Sequence, residues 1–140
     1  MKILVAVDGS TYTKRMLAYL AAHDEWLGSA HQYTVVHGTV MVPARAKSYF
    51  DRETLTSYSE SELEKVFKPI RNFFSRHGLA ATFVGKAGPA ADVIAAVAEQ
   101  GKFDLLVMGS HGHGALANLA MGSVVTKVMA LCTTPILVVR

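Results

Sequence analysis

Short runs of aliphatic residues alternate along the chain with longer segments in which apolar residues recur at helical spacing. The first run, residues 2–7, is rich in Val and is typical of a strand that is buried on both faces. Similar runs at residues 33–42, 103–108 and 135–139, and a weaker pattern at residues 80–86, predict four further strands. An alternation of this kind favours a parallel sheet that carries helices on both faces.

Two helical segments occupy the first half of the chain. The first follows a capping residue, Ser10 or Thr11, and is expected to end at Gly28. The second is longer and covers residues 55–77. Pro69 lies inside this segment and is expected to kink or interrupt the helix, because proline lacks the amide hydrogen and clashes with the preceding turn.

The remaining segments are shorter. Residues 44–54 have no clear period and are predicted to form an exposed loop. Gly88 and Pro89 precede a predicted helix over residues 90–100, with Gly101 as its C-cap. A last helix is predicted after a glycine-rich loop, before the final strand.

Together these elements predict an α/β fold with one open, doubly wound, Rossmann-like sheet of five parallel strands in the order 3-2-1-4-5 and helices on both faces. Residues 1–140 are expected to form a single domain, because a chain of 140 residues buries about 68% of its unfolded surface. In such a sheet the first and fourth strands are neighbours. A crevice opens between their carboxyl ends, where ligands of these folds bind.

Composition narrows the functional classes. Lys and Arg total 14 and Asp and Glu total 11, which gives a net charge of +3. The basic residues are scattered along the chain and form no stripe, so no nucleic-acid partner is expected. The single Cys132 excludes a disulfide framework and a cysteine zinc site, and is typical of a reducing compartment, so a cytoplasmic location is expected. No apolar run reaches the roughly 18 residues of a membrane span, and no membrane association is expected.

The residues that carry chemistry follow the first and fourth strands. The first strand ends at Asp8, and the fourth runs into the glycine-rich residues 109–114, with Gly122 and Ser123 further on. Glycine permits positive φ and close backbone approach, so this loop can aim several N–H groups into one concavity. The N-terminus of the last helix also favours an anion such as a phosphate, and Ser123 can cap that helix or donate to the same phosphate. A tight turn with a capping serine is the alternative interpretation.

The spacing Gly109-x2-Gly112-x9-Gly122-Ser123 resembles the nucleotide-binding signature of the universal stress protein family. The resemblance extends over nearly the whole chain apart from residues 43–78. It includes the segments at residues 3–10, 36–37, 88–90, 104–110 and 135–140.

This resemblance implies an adenine-nucleotide site, for ATP or AMP, in the crevice. Ala6 and Gly38 would line the adenine, although an aliphatic residue is usual at the second position, and Asp8 would face the ribose or a hydrated Mg²⁺ ion. No basic residue lies between Gly112 and Gly122, so affinity for a triphosphate is expected to be modest and metal-dependent. The implied nucleotide-binding residues are Ala6, Asp8, Gly38, Met108, Gly109, Ser110, His111, Gly112, His113, Gly122, Ser123, Val124 and Val125.

The same residue types also serve as metal ligands and as acid–base catalysts. His111 and His113 are expected to donate to phosphate rather than to ligate a metal directly, since no Cys or carboxylate accompanies them at ligand spacing. Asp8 has no evident partner for acid–base catalysis, so no catalytic residue is assigned and at most weak ATP hydrolysis is expected. The family resemblance also implies a homodimer formed through the last strand, which would sit at a sheet edge.

Three functional hypotheses follow. The first is a stress-response regulatory protein that binds ATP or AMP. The second is a nucleotide-independent, dimeric interaction or stress-protective module. The third is a slow ATP hydrolase.

Overall fold

The computed structural model describes residues 1–114 and 120–140 and contains one parallel sheet. Its strands are β1 (Lys2–Ala6), β2 (Gln32–Thr39), β3 (Ala81–Ala87), β4 (Leu105–Gly109) and β5 (Ile136–Val139). They lie in the order β3-β2-β1-β4-β5, and each neighbouring pair is parallel. The predicted fold class and strand order are confirmed.

Helices cover both faces of this sheet. In the described part of the chain they are α1 (Thr11–Ala21), α2 (Ala44–Lys47), α3 (Arg52–Arg76), α4 (Ala90–Gly101) and α5 (Ser123–Leu131). Helices α1 and α3 enclose one hydrophobic core, and α4 and α5 enclose the other. Strand β1 supplies Ile3 and Val5 to the first core and Leu4 and Ala6 to the second, so it is buried on both faces as its composition predicts.

The register of the sheet brings the ends of β1 and β4 together beside β2. Ala6 of β1 pairs with Val36 of β2 on one side and with Met108 of β4 on the other. Chain growth changes direction between β1 and β4, so the loops that follow these strands diverge and leave a crevice between them.

Helix α1 is shorter than predicted, because its last residue is Ala21 and Gly28 lies in a series of turns. The buried Tyr33 holds these turns: its hydroxyl accepts a hydrogen bond from the Gly28 amide at 2.8 Å and lies 3.1 Å from the Trp26 carbonyl. The predicted start is correct, since the Ser10 side chain caps α1 by accepting from the Thr13 amide.

The predicted loop at residues 44–54 is exposed, but it contains α2 and the start of α3. The carboxylate of Asp51 accepts from the Thr54 amide at 2.7 Å and caps α3 before the apolar period begins. Helix α3 also continues through Pro69, and the predicted interruption is absent. Pro69 is solvent-exposed, so water can bond the carbonyl it leaves without a partner, while the buried Phe67 and Ile70 anchor the helix around it.

The predicted C-cap of α4 is displaced by one residue. Lys102, with φ +49°, takes the left-handed conformation, and Gly101 is the last helical residue. A side chain on Gly101 would collide with the ring of Phe103, which explains a glycine there without a positive φ. Among the described residues, no helix has both the length and the apolar character needed to cross a membrane.

Candidate functional site

A cavity of about 420 Å³ opens at the carboxyl ends of β1 and β4. Strand ends, the loop after β4 and the starts of α4 and α5 form its walls. All of the residues predicted from the sequence except Ser110 line it. They are Ala6, Asp8, Gly38, Met108, Gly109, His111, Gly112, His113, Gly122, Ser123, Val124 and Val125.

Ser110 is buried beneath the loop instead of facing the cavity, with 2% of its surface exposed. Its hydroxyl lies 2.9 Å from Nδ1 of His111, and its amide donates to the Val139 carbonyl at 2.8 Å. Its own carbonyl accepts from the Gly122 amide at 2.8 Å. Ser110 therefore ties β5 and the start of α5 to the loop, and the Gly122 amide is already occupied by the protein.

Several lining residues were absent from the predicted site. Val7, Thr13 and His37 lie close to residues that were predicted, and Gly114 belongs to the same glycine-rich loop. Ala90 and Ile94 come from α4, which follows neither of the two strands that define the crevice. No pattern in the sequence marks these two residues, because their position depends on how α4 packs on the sheet.

The glycines of the signature are explained by close contacts. Two reasons for glycine were predicted here, a positive φ and close backbone approach. Gly109, Gly112 and Gly122 do not have positive φ, so the first reason is wrong for them. A Cβ atom on Gly112 would lie 2.6 Å from Oδ2 of Asp8, and one on Gly109 would lie 2.9 Å from Cβ of Tyr12. At Gly122 it would lie 3.1 Å from the Ser110 carbonyl oxygen. A larger residue at Gly109 or Gly112 would push the loop away from α1 or from Asp8, and one at Gly122 would push the start of α5 away from Ser110.

Asp8 is held in one orientation by its neighbours. Oδ1 accepts hydrogen bonds from the Ser10 amide at 2.9 Å and from the Thr13 hydroxyl at 2.8 Å. The Thr13 hydroxyl oxygen in turn accepts from the Asp8 amide at 3.1 Å. Because these bonds use Oδ1, Oδ2 is directed towards Gly112 at the cavity.

Histidine side chains hold the backbone around this carboxylate. His113 Nε2 donates to the Asp8 carbonyl at 2.7 Å, and His37 Nδ1 donates to the Val7 carbonyl at 2.8 Å. A carbonyl oxygen can only accept, so these two nitrogens carry protons. The ring of His111 lies 5.0 Å from that of Tyr12. Within residues 1–114 and 120–140, no group of three His, Cys, Asp or Glu side chains is placed to hold a metal ion.

Helix α5 begins at the cavity with open amides. Gly122 occupies the N-cap position and Ser123 is the first helical residue, so of the two roles predicted for the Ser123 hydroxyl, capping the helix is not the one that the structure shows. No side chain in the described part of the chain caps the helix, and the N–H groups of a first turn have no acceptor inside the helix. Within residues 1–114 and 120–140 the amides of Ser123, Val124 and Val125 have no acceptor, so they can bind an anion, and the positive end of the helix dipole adds to that preference.

The charge of the cavity is low. Asp8 is the only carboxylate among its described lining residues, and none of them is Lys or Arg. The nearby Lys127 pairs with Asp92 of α4 at 2.6 Å. Attraction for an anion therefore comes from backbone N–H groups more than from side chains.

Comparison with known proteins identifies the family. The sequence model of the universal stress protein family matches residues 1–140. The chain belongs to the universal stress protein family. A curated universal stress protein of Thermus aquaticus, encoded in the QAH/OAS sulfhydrylase 3′ region, is 34% identical over 141 residues, which cover 99% of this chain and 97% of the relative.

Solved structures share the fold of this universal stress protein. Hypothetical protein MJ0577 superposes with a TM-score of 0.81 at 24% identity, over 99% of this chain and 94% of the other. A universal stress protein of Arabidopsis thaliana with AMP bound gives 0.69 at 17% identity, over 99% and 90%. A universal stress protein in complex with cAMP gives a TM-score of 0.67 at 20% identity, over 100% of this chain and 97% of the other. A universal stress protein of Archaeoglobus fulgidus in complex with dAMP gives 0.67 at 19% identity, over 100% and 98%. At these identities the likeness establishes the fold alone.

Proposed function

We propose that this universal stress protein binds an adenine nucleotide, ATP or AMP, in the cavity at the ends of β1 and β4 and acts as a stress-response regulatory protein. The observation that carries the proposal is the chemical division of the cavity. One side is apolar, and the other presents backbone N–H groups and one carboxylate. A nucleotide has the same division, with a flat base at one end and phosphates at the other.

The apolar side suits a base. Ala6, Ile94, Met108 and Val125 are each at most 5% exposed, and together with Gly38 they form a surface without charged groups. Pockets that bury a flat apolar ligand are built in this way, with polar groups confined to a few positions.

The opposite side suits phosphate. The open amides of α5 start there, and the glycine loop passes close to Asp8 without side chains to block access. Since no Lys or Arg lines the described part of the cavity, we expect modest affinity for a triphosphate.

The residues present are compatible with a magnesium ion that arrives with the nucleotide. Mg²⁺ is usually held by one or two carboxylates together with substrate phosphates and water. Asp8 directs Oδ2 towards the cavity, and no described protein group occupies that oxygen. A bound Mg²⁺ would neutralise phosphate charge, while Asp8 would hold one of its water molecules.

Similar proteins support the choice of ligand. AMP, cAMP and dAMP are bound in solved structures of the same fold. Each of these ligands consists of an adenine base, a sugar and one phosphate. A regulatory role is proposed in preference to efficient catalysis, because Asp8 lacks a second carboxylate among the described lining residues to act as its acid–base partner. At most weak ATP hydrolysis is expected.

We also infer a cytoplasmic homodimer. Strand β5 lies at an edge of the sheet, and its residues Ile136, Leu137 and Val138 are apolar and only partly buried. An edge of this kind can pair with a second copy of itself. Sedimentation equilibrium at micromolar concentration should give the mass of two chains, and the mass of one chain would refute the dimer.

One observation favours a second candidate, a nucleotide-independent interaction module. Exposed apolar side chains surround a groove of about 360 Å³ between the end of β2 and the start of α3. They include Val40, Met41, Phe50 and Tyr58. Exposed apolar clusters often mark protein contacts.

Mass spectrometry of small molecules released from freshly purified, denatured protein separates these candidates. We expect an adenine nucleotide in the released fraction, or a thermal shift when AMP or Mg-ATP is added to protein that was purified empty. If neither nucleotide is released and neither shifts the melting temperature at millimolar concentration, the interaction module replaces the proposal.

A further inference from the structure

The apolar wall beside Gly38 is built by a helix. Gly38 contributes no side chain to the cavity, although it lies on β2 next to the strand end. Ala90 and Ile94 of α4 line the cavity instead, and Ile94 is 5% exposed. The surface that a side chain at position 38 would otherwise provide therefore comes from α4.

The backbone of α4 takes the space above Gly38. A Cβ atom on Gly38 would lie 2.9 Å from Cα of Ala90 and 3.3 Å from the carbonyl oxygen of Gly88. Both are backbone atoms, so they cannot turn away as the end of a flexible side chain can. A side chain at position 38 would require α4 to move outwards.

Contacts on two sides hold the start of α4 in this place. The Gly88 amide donates to the Thr39 carbonyl at 3.0 Å, and Gly88 has φ +148°, which favours glycine. On the other side, Asp92 forms an ion pair with Lys127 of α5 at 2.6 Å. The first turn of α4 is thus linked both to β2 and to the helix that begins at the phosphate side of the cavity.

We propose that Ile94, with the methyl group of Ala90, forms the surface on which the nucleobase packs, and that this surface determines how strongly the site prefers a nucleotide over the same sugar phosphate without a base. The inference rests on the proposed nucleotide site. It adds α4 to the apolar side of the cavity, opposite the glycine loop and the first amides of α5 that suit the phosphate.

The test compares AMP with ribose 5-phosphate, which shares its sugar and phosphate but lacks the base. Ile94→Ala should reduce the affinity for AMP by about tenfold, because it removes apolar contact in the pocket. The affinity for ribose 5-phosphate should stay within about twofold of its original value. Val97→Ala is the matched control, because Val97 lies one turn further along α4 in the same core but does not line the cavity. It should leave both affinities within about twofold.

Ile94→Val removes only one methyl group, so it should fold even where Ile94→Ala is too unstable, and it should reduce AMP affinity by a smaller factor in the same direction. Gly38→Ala provides an independent arm. Its added Cβ displaces α4, so AMP affinity should fall.

Tighter AMP binding by Gly38→Ala would place the wall at position 38 and overturn the inference. Equal losses for AMP and ribose 5-phosphate in the Ile94 variants, or an unchanged AMP affinity, would overturn it as well. If the unmodified protein binds neither ligand, the proposed nucleotide site itself fails.

Discussion

The carboxylate of Asp8 and the α-carbon of Gly112 face each other so closely that a Cβ atom on Gly112 would lie 2.6 Å from Oδ2 of Asp8. The carboxylate cannot easily retreat, because the Ser10 amide and the Thr13 hydroxyl hold its other oxygen at 2.9 and 2.8 Å. This contact joins the loops that follow β1 and β4 across the cavity. The geometry of the proposed phosphate site therefore depends on the absence of a side chain at position 112.

Gly112→Val should weaken AMP binding by about tenfold or more, because the new side chain displaces either the glycine loop or Asp8 from its fixed orientation. Isothermal titration calorimetry measures this loss. Gly28→Ala is the control, since its Cβ would lie 3.4 Å from the Asp24 carbonyl oxygen, an ordinary contact outside the cavity. Equal affinities for Gly112→Val and Gly28→Ala would show that the contact with Asp8 does not shape the site.

Thr13→Val should destabilise the fold by about 1–2 kcal/mol, because it removes a buried hydroxyl that bonds both the carboxylate and the amide of Asp8. Urea unfolding gives the change in free energy. Thr56→Val removes an exposed hydroxyl from α3 and should cost less than about 0.5 kcal/mol. The account of Asp8 is wrong if the two variants are equally stable.

The thiol of Cys132 should react slowly. Burial raises the pKa of Cys132, which is opposed in part by a hydrogen bond with the backbone of Thr134. A raised pKa leaves less thiolate at pH 8, and the thiolate is the reactive form. Iodoacetamide at pH 8 should therefore modify the folded protein more slowly than the urea-unfolded chain. Equal rates in the two states would contradict this expectation.

The stability of the fold should decrease at high pH because of the ionisation of Tyr33. Burial raises the pKa of the Tyr33 phenol, in spite of its hydrogen bond from the Gly28 amide. Above about pH 10 the unfolded chain loses this proton and the folded chain keeps it, so the free energy of unfolding decreases as pH rises.

The variant Tyr33→Phe tests this prediction by urea unfolding at pH 9 and pH 11. Its free energy of unfolding should decrease less between pH 9 and pH 11 than that of the unmodified protein. Tyr49→Phe, at a side chain that is 85% exposed, should behave like the unmodified protein. An identical pH dependence in all three proteins would exclude Tyr33 as the cause.

The sheet was predictable because several of its strands contain continuous apolar runs, such as residues 3–7, that no surface element would carry. Once the strand order is known, the ends of β1 and β4 must be neighbours, and Asp8 and the glycine loop meet there. The part played by Ala90 and Ile94 was not predictable, since the contact between residues 38 and 90 is a tertiary one that no local pattern records. The end of α1 was missed for a similar reason, because Tyr33 holds the turns that follow it from the next strand.

The central claim is that AMP binds in the cavity at the ends of β1 and β4. A crystal structure from crystals grown with saturating AMP tests this claim most directly. We expect the phosphate within hydrogen-bond distance of the first amides of α5 and the glycine loop, and the adenine against Ile94 beneath α4. Density for AMP outside the cavity, or a cavity that stays empty at millimolar AMP, would contradict the account.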